Sequence, residues 1–446
     1  MTITEFGRAL RLGEITSEQA TEQCLASINR RNGELNAFIL VMADEARRRA
    51  RDADRELAAG HDLGPLHGVP ISIKDLIDIQ GTPTTAASRV RTPQPASADA
   101  PAVANLRAAG AVFVGKTNLH EYALGTTSED SAFGAVRNPF DSQRSAGGSS
   151  GGSAVSVATD MAFASVGTDT GGSIRIPSSA CGLVGLKPSY GEVSTDGVIA
   201  LSPRLDHVGP LAKSVADAWT VLRVLAGEPN PASVTPLASS GVRLRVLRKY
   251  FCDFLDDDIR ERFDQALGRF AAAGMGVDEA VIRHADVIVS VYQRIAPREA
   301  FLQHAATLDT VPERYTAPVR QRLEAGRTIS LESFASALDE RAVLRSEVDA
   351  ALEGGHALVL PTMPIPAPRL GAEMVQVGAT EQPTRSMMLR ETQLFNLTGH
   401  PAISLPCGVT RDGLPCGLQL VGPIGQTNAL IRVALACEAA LCENEL

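Results

Sequence analysis

Two short runs of glycine and serine, Gly147-Gly148-Ser149-Ser150-Gly151-Gly152-Ser153 and Gly167-Thr168-Asp169-Thr170-Gly171-Gly172-Ser173, stand between apolar flanks. Ala154, Val155 and Val157 follow the first run, and Ala162, Phe163 and Val166 lead into the second. A flexible Gly/Ser linker has no such residues to bury, so both runs are expected as turns within a folded core. Glycine tolerates positive φ, and Gly171-Gly172 directly before Ser173 permits a tight turn whose N–H groups converge on one spot. A hydroxyl nucleophile needs that kind of backbone, together with an adjacent base.

The rest of the chain alternates between helical and extended patterns. Ser17-Glu18 opens a helix with Ala20, Cys24, Leu25 and Ile28 at helical spacing, and a second helix, Asp44 to Ala59, ends at Gly60. Val69 to Lys74 alternates as a short buried strand. A helix over Ala102–Ala109, Gly110, a strand over Ala111–Val114 and a helix near Asn118–Leu124 follow. Further strands are predicted at Val242–Leu247, Leu358–Pro361 and Ala402–Pro406. This alternation predicts an α/β sheet. Residues 226–241 have the composition of a linker, and 290–350 reads as a helical cap or insertion.

Composition excludes several classes. The formal net charge is −9 with no basic block, so a nucleic-acid partner is not expected. Seven cysteines, widely spread and without a C-x-x-C pair, argue against a disulfide scaffold or structural zinc, and the eight histidines form no metal-binding motif. No metal and no cofactor are expected. No apolar run reaches the roughly 18 residues that span a bilayer, and MTITEFGRAL lacks a signal-peptide core; a cytoplasmic protein without a membrane partner is the expectation. Gly110-Ala-Val-Phe-Val-Gly-Lys-Thr117 matches the P-loop pattern. Its intervening residues read as a buried strand instead of an open phosphate-binding loop, so nucleotide binding is set aside.

Several blocks in order carry a resemblance: Leu66-His67-Gly68-Val69-Pro70-Ile71-Ser72-Ile73-Lys74-Asp75, Gly115-Lys116-Thr117-Asn118, Asn138-Pro139, the Gly/Ser core, Cys181 to Ser189, Asn396 to Ala402 and Gly417 to Gly422. Together they resemble the amidase signature family through essentially the whole chain. The resemblance implies one α/β domain over 1–446, a large mixed, twisted β-sheet covered by helices on both faces. Within it, 1–60 would be N-terminal helices, 66–225 the catalytic core, 290–350 the cap and 356–446 the last part of the sheet. It also implies a Ser–Ser–Lys triad with Ser173 as nucleophile, Ser149 as bridging serine after a cis peptide, and Lys74 as base. The oxyanion hole would be the backbone N–H groups of Thr170, Gly171, Gly172 and Ser173.

The chemistry suits these residue types. Lysine titrates near 10.4, so a lysine base must be desolvated to be neutral; Ile71, Ile73, Leu76 and Ile77 around Lys74 would do this. A depression of roughly 3 units corresponds to about 4 kcal/mol. Asp169, Arg175 and Ser150 are expected as structural support for the loop, Cys181 as a buried thiol, and His67, His120, His207 and His400 as packing. Candidate pocket residues are Tyr122, Gly125, Thr126, Thr127, Ser128, Phe133, Tyr315, Met388 and Phe395.

These readings lead to an amidohydrolase acting on a small-molecule amide, with carbamates, ureides, anilides and esters as further substrates, working as a monomer or homodimer. The alternative is the glutaminase subunit of a tRNA-dependent amidotransferase. Such subunits resemble this chain but carry a tyrosine-rich helix, and the corresponding stretch Ile329–Leu338 has no tyrosine. A catalytically dead binding protein is disfavoured because every triad position is filled.

Overall fold

In the computed structural model, which describes residues 1–442, the chain forms thirteen strands. In chain order these are β1 (Phe38–Val41), β2 (Pro70–Lys74), β3 (Val112–Thr117), β4 (Ala164–Asp169), β5 (Val184–Lys187), β6 (His207–Ala212), β7 (Arg243–Leu247) and β8 (Gly276–Ala280). They continue with β9 (Ala357–Pro361), β10 (Met374–Val377), β11 (Thr380–Pro383), β12 (Ala402–Val409) and β13 (Pro415–Val421). Eleven of them form one sheet in the order β1-β3-β2-β4-β6-β5-β12-β13-β9-β7-β8, and β10 pairs with β11 apart from it. The sheet is mixed: β2 runs parallel to both β3 and β4, whereas β4 and β6 are antiparallel.

Both faces of this sheet are covered, and β3 shows how. Val112 and Val114 join a core with Cys24, Leu25 and Ile28 of the helix Ser17–Leu35 and Val155 and Val157 of the helix Gly151–Ala158. Phe113, between them, joins a different core with Val103 and Leu106 of the helix Pro101–Ala108. Alternate residues of a strand point to opposite faces, so one strand serves two cores. Each fully buried Val, Leu or Phe contributes roughly 1.5–3 kcal/mol.

The early helices form for local reasons. Thr16 caps the helix Ser17–Leu35 by accepting from Gln19 N–H while the Gln19 side chain bonds back. In Ala43–Ala58 the buried residues are Ala46, Ala50 and Ala53, a stripe on one face of an otherwise charged helix. Residues 288–352 are largely helical: Ile288–Thr310, Ala317–Arg327 and Leu331–Leu352. Gly326 is where the second of these presses on the first; a Cβ there would lie 2.0 Å from the Pro297 carbonyl oxygen.

Two local features differ from a naive pattern reading. The helix expected near Asn118–Leu124 is a single 3-10 turn, Glu121–Ala123, with Tyr122 and Ala123 at φ of 51° and 59°. Its polar groups are engaged elsewhere: Asn118 N–H donates to the Ala37 carbonyl and the Glu121 carboxylate accepts from Ser88 and Thr316. The P-loop look-alike is strand β3, and its Lys116 is buried in an ion pair with Asp75 at 2.7 Å.

Candidate active site

The site lies at the C-terminal ends of the adjacent parallel strands β2 and β4. Along β2, Ile71 and Ile73 enter the apolar core while Ser72 and Lys74 face the other way. Ser72 Oγ bonds Ser156 and Ser165, each at 2.8 Å, which makes a buried polar seam under the helix Gly151–Ala158. Lys74 Nζ ends that seam, with Ser149 Oγ at 2.8 Å, Ser150 Oγ at 2.8 Å and Thr168 Oγ1 at 2.7 Å.

All three partners are hydroxyls, so no carboxylate bonds the amine. Burial pulls the Lys74 amine down to about 7, against the upward pull of Asp169 and Asp206. A neutral amine has two N–H donors and one lone pair. Ser150 gives its own proton to the Thr168 carbonyl at 3.2 Å, so its oxygen accepts from Lys74. Ser149 Oγ has Lys74 as its sole partner among the described residues. A neutral Lys74 can therefore donate to Ser150 and Thr168 and accept from Ser149.

The second Gly/Ser run follows β4 and is organised by Asp169. Its buried carboxylate accepts from Gly172 N–H at 2.8 Å, Ile174 N–H at 3.1 Å and Asn396 Nδ2 at 2.8 Å. It also pairs with the fully buried Arg175, Nη2 to Oδ1 at 3.0 Å. The guanidinium overcomes the burial penalty and holds Asp169 well below the usual carboxylate range. One expectation is corrected here: the Gly172 N–H is bonded to Asp169 and is not free to meet an oxyanion. The N–H groups of Thr170, Gly171 and Ser173 have no partner within the chain among the described residues. Gly172 has φ +135°, and a Cβ on it would lie 2.2 Å from Thr392 Oγ1, which donates to the Gly171 carbonyl at 2.6 Å.

The two Gly/Ser runs meet where Ser150 N–H donates to the Ser173 carbonyl at 3.2 Å. The Gly148–Ser149 peptide is cis. Ser128 bridges this turn, its hydroxyl reaching the Gly147 and Ser149 carbonyls at 2.9 and 3.1 Å. Ser173 is 6% exposed, and its hydroxyl makes no hydrogen bond within the chain among the described residues.

Ser173 opens into a narrow inner chamber of about 20 Å³, room for about one water. An outer chamber of about 400 Å³ adjoins it, and Thr126 and Arg385 line both. Of the candidate pocket residues, Gly125 and Thr126 line the inner chamber and Thr127 the outer one. The others lie elsewhere. Tyr122 and Tyr315 are buried around His304, with Tyr315 hydrogen-bonded to it at 3.0 Å. Met388 and Phe395 are wholly within an apolar core, Ser128 supports the turn, and Phe133 is on the surface. Cys181 is buried, its thiol pushed up by desolvation. Tyr292, Leu389 and Arg385 also line the chamber, and Tyr292 and Arg385 are absent from the sequence-based candidates.

With this geometry established, likeness to known proteins is informative. The amidase family model matches residues 19–431. The A subunit of glutamyl-tRNA(Gln) amidotransferase from Koribacter versatilis is 36% identical, over 99% of this chain and 98% of that protein. A crystal structure of an amidase superposes with a TM-score of 0.93 at 38% identity, covering 98% of this chain and 99% of that one. The corresponding glutamyl-tRNA(Gln) amidotransferase subunit from Thermotoga maritima superposes with a TM-score of 0.78 at 31% identity, covering 98% and 94%. One sequence expectation is overturned. Relatives aligned over nearly the whole chain are named as one subunit of an enzyme acting on a charged tRNA. A partner set of small molecules alone, without nucleic acid, does not follow from the absence of basic blocks, because one component of a complex can leave RNA contact to the others.

Proposed function

The chain belongs to the amidase family, and from that premise we propose that it cleaves a carboxamide C–N bond through an acyl-enzyme on Ser173. The observation that supports this reading is the buried Lys74 amine, held by three hydroxyls and brought down to about 7. Its lone pair takes the Ser149 proton as Ser149 takes the proton of Ser173, whose oxygen bonds to the amide carbon. The oxyanion is met by the open N–H groups of Thr170, Gly171 and Ser173. The proton then returns through Ser149 to the leaving nitrogen, the C–N bond breaks, and ammonia or an amine departs. Water repeats the sequence on the ester, releasing the acid and restoring Ser173. Mass spectrometry after a fluorophosphonate probe should find the adduct on Ser173, and Ser173→Ala should release no ammonia from any amide. Retained turnover in that variant would refute the assignment.

For the biological role, the names of the curated relatives favour a nitrogen-supplying subunit, one that frees ammonia from glutamine inside a tRNA-dependent amidotransferase. A second reading, an amidase acting by itself, is favoured by the higher TM-score to an amidase, 0.93 against 0.78. The tyrosine-free helix Leu331–Leu352 points the same way. Glutaminase activity of the isolated chain, and of the chain recovered with any bound subunits, separates them. Turnover that appears only in the recovered complex supports the role within an amidotransferase.

A further inference from the structure

Among the described residues, the inner chamber is lined by one cation and no carboxylate. Arg385, on the short helix Thr384–Arg390, lines it beside Ser173. Among the described residues Arg385 makes no hydrogen bond and no ion pair. The neighbouring guanidiniums are satisfied: Arg175 by Asp169 and Arg322 by Asp130. Asp130 draws on Arg385 electrostatically but is already held by His120 at 3.0 Å and Arg322 at 3.4 Å. Burial lowers Arg385 to about 10, so it remains charged at neutral pH.

A second unused donor faces the same space. The Tyr292 hydroxyl has no partner within the chain among the described residues. It lies against the nucleophile loop, where a Cβ on Gly171 would be 2.4 Å away from it. Arg385 is half-buried between the two chambers, and its guanidinium, lacking a partner among the described residues, is open to an incoming anion. Its planar fork matches a carboxylate, and because Arg385 borders both chambers it can meet such a group from the outer one while an amide reaches Ser173. The outer chamber is different in character, because Glu129, Asp130 and Glu373 also border it. The acid-free region is therefore confined to the surroundings of Ser173.

We propose that Arg385, assisted by the Tyr292 hydroxyl, binds a carboxylate carried by the substrate, so that the enzyme selects amides of carboxylate-bearing acids over neutral amides. This rests on the reading of Ser173 as the amide-cleaving nucleophile. Arg385 is a specificity residue in this account and takes no part in proton transfer.

The test measures ammonia release from succinamate and glutaramate and from their neutral counterparts butyramide and valeramide, using wild type, Arg385→Met and Arg385→Lys. The readout is the ratio of kcat/KM for the charged amide to that for the neutral one. Removing one partner of a desolvated charge pair predicts a fall in this ratio of about 100-fold in Arg385→Met, with partial recovery in Arg385→Lys. A ratio unchanged in Arg385→Met, or equal losses on both substrates, would overturn the proposal. Calorimetric binding of succinate and glutarate to Ser173→Ala, with and without Arg385→Met, gives a readout independent of turnover. Dicarboxylate binding that depends on Arg385 in a protein that cleaves no amide would remove the hydrolase reading and leave the anion site. Amide cleavage with neither charge preference nor dicarboxylate binding would do the reverse.

Discussion

Lys74 Nζ and Ser149 Oγ lie 2.8 Å apart at the end of a wholly buried strand, and Ser149 has no other partner among the described residues. The serine is therefore oriented by the amine alone, which suits a relay and not a structural hydroxyl. Ser149→Ala should reduce kcat by roughly 10²- to 10⁴-fold, the range for losing a positioned proton-transfer group, with little change in urea midpoint. A loss of activity matched by a loss of stability would mean that the hydroxyl mainly supports the turn.

Thr168 offers a prediction of opposite sign to intuition. Its hydroxyl lies 2.7 Å from Lys74 Nζ, and an acceptor stabilises an ammonium more than an amine. Thr168→Val should lower the Lys74 pKa below its value of about 7, moving the acid limb of the kcat/KM profile to lower pH than in wild type. The variant would then keep a larger fraction of its maximal activity at pH 6 than wild type does. A limb displaced upward contradicts the assignment of Lys74 as the titrating base.

The Asp169–Arg175 pair is fully buried and holds the loop that carries Ser173. Arg175→Met leaves a carboxylate without its counter-ion and should destabilise the protein by about 3–5 kcal/mol, read from urea unfolding. A change under 1 kcal/mol would show that Gly172, Ile174 and Asn396 suffice to satisfy Asp169.

Glu391 is fully buried, and neither carboxylate oxygen has a hydrogen-bond partner among the described residues. Burial raises its pKa well above 4.5, with Arg390 only partly opposing. Between the unfolded value and the raised folded value, the folded chain binds a proton that the unfolded chain has lost. Stability from this group is thus fully present below about pH 4.5 and declines as pH rises. Glu391→Gln should be more stable than wild type at pH 8, with the advantage shrinking towards pH 5. An advantage independent of pH would exclude the linkage.

The strands and the buried lysine were readable because each is encoded locally. Val69–Lys74 alternates, and β2 forms over Pro70–Lys74 with isoleucines on one side and Lys74 on the other. The late strands at Val242, Leu358 and Ala402 likewise sit where short apolar runs predicted them. What failed was non-local. Tyr122 has the composition of a pocket aromatic, yet its ring is taken up by His304 and Tyr315 from the distant segment 304–315. Arg385 and Tyr292 reach the chamber from helices far along the chain, and nothing in their own neighbourhoods marks them. Asp169 is legible in sequence as a support of the loop, but that its carboxylate takes the Gly172 N–H follows only from how the loop folds back.

The central claim is that Lys74 is an uncharged base inside the folded enzyme. Its side-chain nitrogen can be titrated directly by NMR in protein made with ¹⁵Nζ-lysine, the signal being assigned by its loss in Lys74→Met. The account predicts deprotonation with a midpoint near 7, coincident with the acid limb of kcat/KM. A resonance that stays in the ammonium form through pH 9 while the enzyme is fully active would contradict it.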